Sequence, residues 1–135
     1  MSGYEILEHT ADVGLRAWGP SLEGCFSQAT WGLAEIIGIA APGPGERVRI
    51  EVTATDLGGL LVDWLSEVLY LHDSRDALLA GVEVDSVEPE VARGTITLAE
   101  RDRPVEGTQV KAITYHRLSV VRAGDRFVAE VYLDV

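Results

Sequence analysis

Apolar positions along the 135-residue chain follow two different periods, and the changes between them mark out the elements. Residues 4–8 (YEILE) and 13–18 (VGLRAW) read as short strands, the second alternating Val13, Leu15 and Ala17 against Gly14, Arg16 and Trp18. Gly19-Pro20-Ser21 breaks that alternation, and Ser21 is suited to cap a helix whose Glu23 sits near the favourable end of the dipole. Leu22, Cys25, Phe26, Ala29, Leu33, Ile36 and Ile37 then recur at helical spacing and describe one buried face. The run AAPGPG at 40–45 is a loop, too short to separate two domains. A strand follows at 47–54, after which Asp56 is the expected cap of a second helix carrying Leu57, Leu60, Leu61, Trp64, Leu65, Val68 and Leu69 at spacings of three and four. Gly58 and Gly59 either weaken its first turn, by about 1 kcal/mol each relative to alanine, or permit close packing there.

Past His72-Asp73-Ser74 the apolar pattern runs through Ala77 to Leu79 and becomes alternating at Val82, Val84 and Val87. Residues 94–100, 110–122 and 126–134 alternate as strands, the last two joined by Ala123-Gly124-Asp125 as a hairpin. Two amphipathic helices and six or seven strands predict an α+β two-layer sandwich, with both helices packed on one face of a mixed or antiparallel β-sheet and residues 1–135 forming a single domain. With 47% apolar residues, a chain of this size buries roughly 68–70% of its unfolded surface and needs no disulfide or structural metal to hold a core.

Charge narrows the function. The 22 Asp and Glu against 11 Lys and Arg give a formal charge of −11, which argues against holding RNA or DNA by phosphate neutralisation and suits a divalent cation or a basic protein partner better. Cys25 is the only cysteine, so neither an intramolecular disulfide nor a cysteine-based zinc knuckle is available, in keeping with a reducing compartment. The N-terminal MSGYEILEHTAD has no basic segment followed by an apolar one, and no run of about 18 apolar residues occurs. No export signal or membrane span is therefore expected, and the chain reads as cytoplasmic.

Three residues stand out chemically. Asp12 closes the tetrad His9-Thr10-Ala11-Asp12 between the first two strands, where it serves either as a turn carboxylate bonded to nearby backbone or as a ligand to a hard cation. Asp134 is one step from Val135 on the less apolar side of the last strand, shared with Val128, Glu130 and Tyr132, and is either a solvated tail or a second ligand close to the Val135 carboxylate. Lys111 is the only lysine among eleven basic residues, either a solvated strand end or a position where a planar guanidinium does not fit. On alternation it shares a side with Ile113 and Tyr115. The histidines His9, His72 and His116 are too dispersed for a helical zinc pair, Ser66 and Ser119 lack a nucleophile context, and no phosphate-binding or dinucleotide glycine motif is present. Asp63 and Glu67, four apart on the second helix, read as part of a polar face.

Taken together, Tyr4-Glu5, the tetrad ending at Asp12, Gly19-x-Ser21-Leu22-Glu23, Asp56-Leu57 with Leu60 to Leu65, Val110 to His116, and the Asp134-Val135 end resemble the archease family along nearly the whole chain. The resemblance implies an accessory protein and not a stand-alone enzyme: archeases assist RtcB-type RNA ligases in tRNA splicing and RNA repair. They promote the metal-dependent guanylylation of the ligase, sustain multiple turnover and broaden nucleotide use. It also implies that Asp12, Lys111 and Asp134 are the activity-linked positions, with Asp12, Asp134 and the Val135 terminal oxygen binding a divalent cation: calcium, magnesium or manganese. RNA itself is then held by the ligase. Two other classes stay open on the residues alone: a chaperone or modulator of RNA-modifying enzymes such as tRNA methyltransferases, and a small hydrolase or nucleotide-binding enzyme.

Overall fold

The computed structural model describes residues 1–8 and 12–135. Nine elements follow in the order β1 (Gly3–Glu8), β2 (Asp12–Gly19), α1 (Leu22–Ile37), β3 (Glu46–Thr53), α2 (Leu57–Arg75), β4 (Ala77–Glu88), β5 (Val91–Glu100), β6 (Ala112–Ala123) and β7 (Arg126–Asp134). Both helix starts are capped as expected: the Ser21 side chain accepts from the Gly24 N–H at 3.0 Å, and the Asp56 carboxylate accepts from the Gly59 N–H at 2.8 Å. Glu23 does more than complement a dipole, since its carboxylate also accepts from the Val87 N–H of β4 at 2.9 Å. Helix α2 runs straight through His72-Asp73-Ser74 and stops at Arg75, where Asp76 adopts a left-handed conformation. His72 Nδ1 lies 2.8 Å from the Ala77 carbonyl oxygen at this end of the helix.

The architecture is the expected α+β one, two helices on seven antiparallel strands, with the strands divided into two sheets, β1-β2-β7-β6 and β3-β5-β4, and not gathered in one. Alternation in a sequence reports which face of a strand is buried and is silent on its neighbours, so it cannot distinguish the two arrangements. Both helices pack on the inner faces, α1 mainly against β2, β1 and β4, and α2 mainly against β6 and β3. Leu15, Ala17, Ala129, Val131 and Leu133 of the first sheet and Ile50, Ala92, Ile96 and Leu98 of the second meet Phe26, Leu33, Leu61, Trp64 and Leu65 in one core.

A polar relay crosses that core. The Trp64 indole N–H of α2 donates to the Thr30 hydroxyl at 2.9 Å, and that hydroxyl donates to the Phe26 carbonyl of α1 at 2.8 Å, with Trp64 and Thr30 both fully buried. The two helices are thereby fixed to one another at a point where an unpaired indole would be costly. Among the described residues no helix is long and apolar enough to cross a membrane.

Candidate functional site

Sheet register brings the two separated aspartates together. β2 and β7 are neighbours, and Asp12 is paired directly with Asp134. Directly opposed residues on antiparallel strands project from the same face with Cβ atoms about 4.5–5.5 Å apart, so residues 122 positions apart in sequence become adjacent carboxylates. On the other flank of β7, Ala112 is paired with Asp134, and the Lys111 N–H donates to the Asp134 carbonyl oxygen at 2.7 Å. The three strand ends thus gather Asp12, Asp134 and Lys111 in one place. Val135 continues β7 half-buried and packs against the core, which anchors the backbone immediately after Asp134. His9, Thr10 and Ala11, the rest of the tetrad, lie outside the described residues.

Lys111 differs from expectation in two respects. β6 begins at Ala112, one residue later, so Lys111 precedes the strand and is tied to β7 only through its main chain. Val110 and Ile113 are both buried while Lys111 and Ala112 are both exposed, so the simple alternation that grouped Lys111 with Ile113 does not hold here. The side chain is released from the core face. Of the ten arginines, Arg16, Arg47, Arg49, Arg75, Arg93, Arg101 and Arg103 pair with carboxylates, and Arg117, Arg122 and Arg126 lie over aromatic rings. Among the described residues Lys111 is the one basic side chain with neither kind of partner, which leaves its ammonium available to an outside anion.

The wall of the site is a feature that alternation did not anticipate. Thr114 of β6 pairs with Tyr132 and Ser119 pairs with Glu130, so four residues, 115–118, stand opposite Val131 alone. This wide bulge folds partly over the outer face of the sheet. His116 meets the Tyr132 ring edge-on at 6.0 Å between centroids, and the Arg117 guanidinium carbon lies 5.4 Å from the centre of the same ring. Tyr132, on the sheet face that also carries Asp12, Arg16, Glu130 and Asp134, is only 2% exposed. Gly14 supplies the floor: a Cβ there would come within 2.7 Å of the tyrosine ring. Leu118 turns the other way and packs on α2 at Gly58, where a Cβ would meet its side chain at 2.8 Å, so close packing is what that glycine provides. The Thr114 hydroxyl secures the start of the bulge, donating to the Tyr132 carbonyl at 2.8 Å and accepting from the His116 N–H at 3.2 Å.

Asp12, Asp134, Thr114, His116 and Leu133 line an open depression of about 340 Å³. Two carboxylates with nearby main-chain oxygens are the donor set that calcium, magnesium or manganese favours. Among the described residues no three His, Cys, Asp or Glu side chains converge as a closed metal cage. A hard cation here would be held on one side and would complete its shell with water or with oxygens brought by a partner.

A known group of proteins shares this layout from end to end. Residues 4–135 match the archease protein family (MTH1598/TM1083), and the chain belongs to that family. It is 36% identical to protein archease of Methanopyrus kandleri over 140 residues, covering 98% of this chain and 99% of the relative. The solution structure of protein 1598 of Methanobacterium thermoautotrophicum superposes with a TM-score of 0.80 at 29% identity, over 98% of this chain and 99% of that one. The crystal structure of a Thermotoga maritima archease, described as a possible chaperone, matches in fold with a TM-score of 0.69 at 24% identity, over 97% and 96% of the two chains.

Proposed function

We propose that this protein is an accessory factor of an RtcB-type RNA-splicing ligase, acting in the cytoplasm in tRNA splicing or RNA repair, and that it promotes the ligase's metal-dependent guanylylation and multiple turnover. Membership of the archease family supports the class, and the observation that carries the specific reading is the direct pairing of Asp12 with Asp134 beside Lys111 on an open surface. Asp12 and Asp134 would hold a divalent cation, calcium, magnesium or manganese, assisted by a main-chain or terminal oxygen of Val135. When bound, that cation supplies positive charge against the phosphates of the nucleotide. Lys111 would reach the same phosphates, and the rigid strand ends would present the whole group in one orientation to the ligase.

An open donor set, in which the described residues supply two carboxylates, suits a protein that finishes its site on a partner. RNA would be bound by the ligase and not by this acidic chain. A chaperone that captured diverse clients would need a broad apolar face. The large exposed hydrophobics among the described residues, Met1, Ile6, Tyr70, Tyr115 and Val121, are instead spread over the N-terminus, β1, α2 and β6. The test is a multiple-turnover ligation assay of the cognate ligase with and without this protein. Sustained turnover only in its presence supports the reading, and equal progress curves overturn it.

A further inference from the structure

The Proposed function uses the acids and Lys111 and leaves the bulge of β6 without a role. Its central residue is unusual. Arg117 has a φ of 54°, one of only two described non-glycine residues in the left-handed region, and the other, Asp76, is explained by the end of α2. Such a conformation is disfavoured for a long side chain by roughly 1 kcal/mol or more and persists only where its surroundings enforce it. What it achieves is to bring the guanidinium over the ring of Tyr132, whose backbone is two residues before Asp134. A guanidinium held over a ring face keeps its N–H donors, and among the described residues none of those of Arg117 is engaged. No carboxylate lies within ion-pair distance of Arg117 among the described residues, although Glu130 and Asp134 belong to the same strand as the ring it covers. Arg16 takes Glu130 instead, at 2.9 Å.

We infer that Arg117 is a second anion-binding group beside this site, and that it and Lys111 together receive a polyphosphate chelated to a cation held by Asp12 and Asp134. Lys111 adjoins Asp134 from the β6 side, and Arg117 sits over the residue two positions earlier on β7. Two residues of strand span about 7 Å, more than a single phosphate covers and within reach of two or three linked ones. Charge agrees with this: a dication neutralises Asp12 and Asp134, after which the two basic side chains give the locale a net positive charge where the chain as a whole is acidic. The proposal rests on the cation reading above, and the test separates the two.

Isothermal titration of the whole protein is carried out with calcium or magnesium alone, then with inorganic tripolyphosphate in saturating cation. The variants are Arg117→Met, which keeps an apolar stem over Tyr132 and lacks the donors, Arg117→Lys, and Arg126→Ala as a control. Arg126 also lies over a ring, that of Trp18, but at the opposite end of β7. The expected result is tripolyphosphate binding that Arg117→Met weakens at least tenfold and Arg117→Lys weakens less, with cation binding and thermal midpoint retained and Arg126→Ala without effect. Unchanged tripolyphosphate binding in Arg117→Met, equal losses in Arg126→Ala, or inorganic phosphate binding as tightly as tripolyphosphate would each overturn the inference while the cation site stands. Failure of the wild-type protein to bind either cation would overturn the cation reading itself.

Discussion

Replacing Asp134 by Asn should make the protein more stable when divalent cations are absent and less stable when they are present. The register places the two carboxylates on directly opposed residues, whose Cβ atoms lie roughly 5 Å apart, and about the same separation is taken for the charges. At that separation two unit charges repel by about 0.8 kcal/mol in a water-like medium and by about 3 kcal/mol at an effective dielectric constant of 20. Asp134 is exposed, so the lower figure governs, and removing its charge should raise stability by about 1 kcal/mol in a chelating buffer at low salt. For a chain of this size that is roughly 3–5 °C in thermal midpoint. Calcium at one hundred times its dissociation constant would stabilise the wild-type protein by about 2.7 kcal/mol, and the variant should lose most of this, so the order of the two midpoints inverts. Melting curves of both proteins, in chelator and in a calcium series, read the inversion directly. A variant that is no more stable than the wild type in chelator, with the same response to calcium, would refute both the pairing of the carboxylates and their joint use.

Other consequences are independent of the cation. Thr30→Val leaves the Trp64 indole N–H unpaired in the core and should cost about 1–3 kcal/mol, seen as a lower urea midpoint at unchanged slope; a shift under about 0.5 kcal/mol would mean the relay contributes little. Burial pushes the Cys25 thiol up to about 11 from an ordinary 9.0, so the unfolded chain ionises first and stability falls by about 2–3 kcal/mol as pH rises from 9 to 11. Tyr4, held up to about 12 by its hydrogen bond to Glu35, adds a loss of the same sign above pH 10, and Cys25→Ala should therefore remove only the earlier part of the decline in urea midpoint with pH. Lys111→Arg should leave the thermal midpoint within about a degree or two and reduce ligase activation at least tenfold; full activation by the arginine variant would show that charge alone is needed.

The helices were legible because their signals are local. Ser21 and Asp56 cap them, and the spacing of Leu22 to Ile37 and Leu57 to Leu69 sets the buried faces that the structure shows. The hairpin at Gly124 was equally plain, with a φ of 70° at that glycine. Asp12, Lys111 and Asp134 were singled out by residue type and by resemblance, but their meeting depends on β2 being the neighbour of β7, and no local pattern carries that information. The bulge was missed although a trace of it is present. Core-facing Ile113 is at an odd position, whereas Leu118 and Val120 are at even ones, and a strand can change parity only by inserting residues. The same shift from Val84 to Val87 marks the irregularity that β4 shows between Val84 and Ser86.

The most direct test of the central claim is the extent of guanylylation of the cognate ligase, followed with labelled GTP in the presence of the wild-type protein or of a folded Asp134→Ala variant. Loss of stimulation with Asp134→Ala, at an unchanged far-ultraviolet circular dichroism spectrum, is the predicted result. Stimulation equal to that of the wild type would contradict the account, because the carboxylate pair at the strand ends would then have no part in the ligase's reaction.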